Sequence, residues 1–220
     1  MNYAEPSLRV LPASTRETGA VVLVLHGGRA QSTDPVRPAQ LAYRRMLPFA
    51  RAAHRAVAVE GAAVWLLCNR VRGWNEPALD AVVDASWALR EVERRHPGAG
   101  VVLVGHSMGG RAALRLAGSG PVRAVCALAP WTEPRDPVAQ LAGRQVLLLH
   151  GDRDRVTSAP ASAEYARRAA RAGAEVEHVV LPGTGHAMLR HAAEWHARTR
   201  DFVTAGVRLI AEENEHRSAP

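Results

Sequence analysis

Apolar residues in this chain gather into short, nearly unbroken runs separated by longer stretches of mixed polarity. Residues 20–25 (AVVLVL), 62–68, 101–104, 122–128 and 145–149 are almost purely Val, Leu, Ala, Trp and Cys. Runs of that length and composition predict strands covered on both faces, as in a parallel sheet. A sixth run, 175–181, has Val176, His178 and Val180 alternating with Glu175, Glu177 and Val179. A short strand at 8–11 is expected ahead of the first run. Between the runs, 38–57, 77–96, 108–117, 161–172 and 187–204 carry apolar residues three and four apart, which predicts helices. Pro97-Gly98 closes the second helix, and Gly118 to Pro121 form a turn. Strands alternating with helices predict an α/β fold, a mostly parallel sheet of six or seven strands with helices on both faces. No internal repeat or long linker divides the chain, so 1–220 is expected to be one domain, with flexible ends at 1–7 and 212–220.

The composition changes this picture little. The chain has 220 residues, 47% hydrophobic and 22% charged, ordinary for a globular protein and unlike a disordered one. No apolar run is long enough to span a bilayer, and the first residues lack the basic and apolar regions of a secretory signal, so a cytoplasmic protein is expected. The net charge of +7 comes from 28 basic residues, all arginine. They are scattered rather than striped, which argues against nucleic acid as a partner. Cys68 and Cys126 are expected to be buried and reduced, and no zinc-type spacing of His and Cys occurs.

Candidate chemistry sits where strands end. Gly105-His106-Ser107-Met108-Gly109-Gly110 follows the third run and opens a helix. A serine at such a corner is thrust above the sheet, with small residues two positions to either side because the turn is tight. The helix amino end below it favours developing negative charge. A serine nucleophile needs a base held by an acid. Of the ten histidines, His186 follows the sixth run in the Gly-rich loop Pro182-Gly183-Thr184-Gly185. Asp152 and Asp154 both follow the fifth run and compete for the acid role. The order Ser, Asp, His is the one produced by successive loops at the carboxyl edge of one sheet. His26-Gly27-Gly28 follows the first run, where a backbone N–H can join that of Met108 in an oxyanion hole, His26 being a structural hydrogen-bonder.

Together these pieces resemble the α/β-hydrolase family over residues 20–190. The matching elements are His26-Gly27-Gly28, the nucleophile elbow 105–109, the acid loop His150-Gly151-x-x-Asp154-x-x-Val156 and Gly185-His186. The resemblance implies that Asp154 rather than Asp152 is the triad acid and that Gly28 and Met108 supply the oxyanion-hole N–H groups. Only about 16 residues, 129–144, join the fourth and fifth main strands, too few for a cap domain. The expectation is therefore an open site like that of small cap-less esterases, thioesterases and dienelactone-hydrolase-like proteins. The dienelactone type carries cysteine where this chain has Ser107, so the expected reaction is that of a serine esterase acting on a small-molecule ester or thioester. No metal or organic cofactor and no membrane is expected to take part, and the protein is expected to be a monomer or homodimer. Arg29, Trp74, Trp131 and Met188 follow strand ends and are expected near the mouth of the site, whereas for Arg70 and Arg72 a solvated position is favoured over contact with an anionic group of the substrate. The same residues also fit a thioesterase, peptidase or acyltransferase. A non-catalytic binding protein would more often have lost one of the three.

Overall fold

The computed structural model describes residues 5–218 and shows a seven-stranded sheet with helices on both faces. In chain order the main elements are β1 (Ser7–Leu11), β2 (Ala20–Leu25), α1 (Leu41–Val57), β3 (Ala62–Cys68), α2 (Asp80–Arg95) and β4 (Gly100–His106). There follow α3 (Met108–Arg115), β5 (Val122–Leu128), β6 (Gln145–Gly151), α4 (Ala159–Arg171), β7 (Glu175–Leu181) and α5 (Ala192–Ser218). The strand order is β1-β3-β2-β4-β5-β6-β7, with β1 antiparallel to β3 and every other pairing parallel. This is the α/β-hydrolase architecture that the resemblance implies.

Alternation along the strands makes two cores. Val21, Leu23, Leu25, Val101 and Leu103 face α2, α3 and α4 on one side. Val22, Val24, Val102, Val104 and Cys126 face α1 and α5 on the other. Both sides are dry, which is why the strands read as continuous apolar runs rather than alternating ones. The helices present matching stripes, such as Tyr43, Met46, Phe49, Ala50, Ala53 and Val57 on α1. Cys68 and Cys126 are free and buried.

The helix boundaries differ from expectation in two places that bear on the site. The loop after β2 is tied to the loop after β3 by Arg29 N–H to Arg72 C=O (2.8 Å) and Trp74 N–H to Arg29 C=O (2.8 Å), so α1 begins only at Leu41. The last helix begins at Ala192 rather than 187, because Met188 (φ 56°) and His191 (φ 52°) adopt left-handed backbone incompatible with a helix. Its other end runs past 204 to Ser218, since Val203, Val207 and Ile210 continue the buried stripe and Glu213 reaches Arg123 at 2.6 Å. Of the expected flexible ends, residues 1–4 and 219–220 lie outside the described residues. Ser7 opens β1, and residues 212–218 continue α5. Between β5 and β6 there is only a short 3₁₀ turn, Ala139–Leu141, and no cap. Among the described residues no helix is long and apolar enough to cross a membrane.

Candidate active site

The serine corner is built by backbone packed on backbone. Ser107 has φ 56° and ψ −117°, a conformation costly for any residue with a Cβ and held here from both sides. Its N–H donates to Leu128 C=O at 2.9 Å, and its carbonyl accepts from Arg111 N–H at 3.1 Å and Trp131 N–H at 3.2 Å. A Cβ at Gly105 would overlap the Gly109 carbonyl. One at Gly109 would sit 2.6 Å from the carbonyl oxygens of Leu25 and His26. Glycine is thus required on either side of the serine because β4, α3 and the end of β2 touch through bare backbone. Ser107 opens into a cavity of about 350 Å³ lined by Gly28, Arg29, Ala30, Met108, Trp131, Val156 and Thr157.

The acid loop is built by side chains. Asp154 has no exposed side-chain surface. Its Oδ1 accepts the N–H groups of Val156 (2.8 Å) and Thr157 (2.9 Å). Its Oδ2 accepts from His186 Nδ1 at 2.8 Å and lies 2.9 Å from Thr157 Oγ1 and 3.2 Å from His150 Nε2. Burial alone would push this carboxyl up, but the hydrogen bonds from His150, His186 and the two backbone N–H groups outweigh it and hold the group well below the usual carboxylate range. With Nδ1 committed to the carboxylate, Nε2 is the His186 nitrogen left to take a proton. His106, directly before Ser107, donates from Nε2 to the His186 carbonyl at 3.0 Å, and the two rings lie 4.7 Å apart. Burial, with His186 and Arg45 nearby, pushes His106 down to about 3, so its ring is neutral. The Ser107 hydroxyl makes no hydrogen bond to His186.

Gly28 and Met108 line the cavity beside Ser107. A side chain at Gly28 would overlap Met108 and the Arg72 carbonyl, so the loop runs beside Ser107 as bare backbone. His26 steadies it: Nε2 accepts Asn69 N–H (3.2 Å), which leaves Nδ1 to donate to Gly27 C=O (2.7 Å).

Of the residues expected at the mouth, Arg29 and Trp131 line the cavity and two do not. Trp74 is 1% exposed. It donates to Glu76 and meets Trp131 edge-on, with the Arg111 guanidinium 4.5 Å from its ring and 4.4 Å from that of Trp131. Met188 is buried in the core beside α1 and α5. Both were placed by loop position, and both turn inward because a large apolar side chain gains more in the core than at a rim. Arg70 is not a free solvated residue either, since it pairs with Asp80 and Asp84 of α2. Asp152 is exposed, and its N–H donates to Leu181 C=O at 3.2 Å. The residue that sequence reasoning missed is Thr157, whose hydroxyl lies within 3.3 Å of Asp154, His186, His150 and Ala129 C=O. A hydroxyl three residues after the acid, in the turn that the acid itself caps, was the available signal. Among the described residues no cluster of His, Cys, Asp and Glu is arranged to hold a metal ion.

Comparison with known proteins bears on the family and the fold. The sequence pattern of the dienelactone hydrolase family matches residues 69–213, well over half of the chain. Similar solved structures include an α/β serine hydrolase homologue from Coxiella burnetii, with 17% identity over 89% of this chain and 90% of that one and a TM-score of 0.67. A lidless α/β serine hydrolase from Xanthomonas campestris has 20% identity over 90% and 88% of the two chains, with a TM-score of 0.65. Est1E from Butyrivibrio proteoclasticus has 14% identity over 92% and 94%, with a TM-score of 0.66. No curated protein matches the chain in sequence. At these identities the structures establish the fold alone, and the extent of the sequence match establishes more: the chain belongs to the dienelactone hydrolase family.

Proposed function

We propose that the chain is a serine esterase that cleaves small to medium acyl esters through Ser107, His186 and Asp154. The observation that carries this reading is the 2.8 Å bond from His186 Nδ1 to the buried Asp154 carboxylate, bridged by Thr157 to the cavity that Ser107 enters. His186 Nε2 takes the hydroxyl proton as Ser107 Oγ attacks the ester carbonyl carbon. The carbonyl oxygen becomes an oxyanion that the Gly28 and Met108 N–H groups receive. Collapse breaks the bond to the alcohol, which leaves with the proton from His186. Water then attacks the acyl-enzyme with His186 as base, and Ser107 recovers its proton as the carboxylic acid departs. Asp154 holds the imidazole in the required tautomer throughout. No cofactor enters this scheme. Arg29 and Trp131 flank the bound substrate, and the open site fits a free small molecule in the cytoplasm.

A fluorophosphonate probe should label Ser107, and p-nitrophenyl esters should be cleaved faster than acyl-CoA thioesters or aminoacyl amides. Ser107→Ala should lower kcat by on the order of 10⁴ or more. Unchanged ester turnover in that folded variant would end the assignment.

A further inference from the structure

A triad carboxylate has one imidazole to hold, and Asp154 holds two. His150 lies near the end of β6 with no exposed surface. Its Nδ1 is 2.8 Å from Ser162 Oγ on α4, itself fully buried, and its Nε2 is 3.2 Å from Asp154 Oδ2 and 3.3 Å from Thr157 Oγ1. The carboxylate can only accept, and a bare nitrogen lone pair at that distance would repel it. Nε2 therefore carries a hydrogen aimed at Oδ2, and in the neutral ring Nδ1 accepts the Ser162 hydroxyl proton. The ring is pinned at both ends.

We propose that His150 is a positioning residue of this site: by donating to Asp154 Oδ2 it fixes the carboxylate against His186 and takes up part of its charge, which sets the pH at which His186 becomes available as a base. This inference rests on the triad reading. Oδ1 is spent on the two N–H groups of its own loop, so only Oδ2 faces the imidazoles. A carboxylate shared between donors attracts each less strongly. Without the His150 N–H, His186 has the larger share of the charge, its protonated form is stabilised, and the base becomes free only at higher pH. The other groups in play are His178 on β7, which burial and then His150 push down, and His106 on β4, which contacts His186 and is itself influenced by Arg45 on α1. All of them stay in place in the variants below.

The test is the acid limb of kcat/KM on a p-nitrophenyl ester. His150→Phe keeps the bulk and removes the donor, and should move the limb up by about half a pH unit or more, roughly a threefold loss of kcat/KM on the acid side. His150→Gln places an amide N–H where Nε2 stands and should restore the wild-type limb. Ser162→Ala, which frees one end of the ring, should shift it partway in the same direction. Should the phenylalanine variant fail to fold, the wild-type chain labelled with ¹⁵N-histidine decides: the resonance lost in His150→Gln must show a protonated Nε2 and an unprotonated Nδ1. The opposite tautomer, or a folded phenylalanine variant with the wild-type limb, overturns the proposal alone. A wild-type chain that takes no fluorophosphonate at Ser107 overturns the triad reading and this inference with it.

Discussion

The corner between β4 and α3 and the loop between β6 and α4 deliver the two ends of one proposed proton path by opposite means. At the corner, position is set by exclusion. Gly105, Gly109 and the ends of β2 and β4 lie so close that no side chain fits, and Ser107 is forced to φ 56°. In the acid loop, position is set by attraction. Asp154 is held by five groups, the backbone N–H of Val156 and Thr157 and the side chains of His186, His150 and Thr157. A structure fixed by exclusion fails all at once when an atom is added, because packed backbone has nowhere to go. A structure fixed by a polar network loses function in steps as donors are removed, while the fold persists.

The largest effect should come from adding an atom at the corner. Gly105→Ala drives a methyl into the Gly109 carbonyl, so β4 and α3 must separate and Ser107 must leave its held conformation. A displacement of about 1 Å at a nucleophile costs on the order of 100-fold in rate. Esterase kcat/KM should fall by at least that much, and the thermal midpoint should fall with it. An alanine variant retaining both would show that the corner is not fixed by exclusion.

The acid loop should respond less and differently. Thr157→Val keeps the shape and deletes the hydroxyl that touches Asp154 and His186. The expected result is a kcat lower by about tenfold, KM within about twofold of wild type, and a thermal midpoint changed by a few degrees at most. Steady-state kinetics beside a melting curve separates the two regions: both measures move for Gly105→Ala, and only the kinetics for Thr157→Val.

The same contrast explains what the sequence made legible. Exclusion is written in residue type, since the glycines at 105 and 109 and the apolar runs before them have few other readings, and strands β2, β3, β5 and β7 lie where the apolar runs end and begin. Attraction is written in distance. Nothing in the order His150, Asp154, Thr157, Ser162 says that four polar side chains converge, because polar residues after a strand usually face water. Loop position alone failed for Trp74 and Met188, whose direction depends on what the neighbouring helices leave unfilled. The far end of α5 was hidden for a related reason: Glu213 reads as a solvated tail residue until Arg123, 90 positions earlier in the chain, is seen beside it.

The two regions should also separate by pH. His106 belongs to the corner. Burial first, then His186 and Arg45, push it down to about 3, whereas in the unfolded chain a histidine protonates near 6.5. Between those values the unfolded state binds the extra proton, so acid favours unfolding. The contribution of neutral His106 is complete above about 6.5 and declines as pH falls toward 3, at up to about 1.4 kcal/mol per pH unit for one proton. Burial also shifts His26, His96, His178 and His196 downward, and their contributions are lost in the same direction. Asp154 behaves otherwise. Its carboxyl is depressed by its donors despite burial, so its contribution is complete above the unfolded carboxylate value near 3.9 and is lost only as pH falls below it. Urea midpoints should therefore decline from pH 7 to 4.5 through the histidines, and the acid loop should add its loss only below about 4. His106→Gln retains a donor for the His186 carbonyl and removes the titration, so it should flatten the slope between pH 7 and 4.5. Asp154→Asn should flatten the slope below about 4. A wild-type midpoint constant from pH 7 to 4.5 would mean that water reaches His106, and that the corner is less tightly closed than its glycines require.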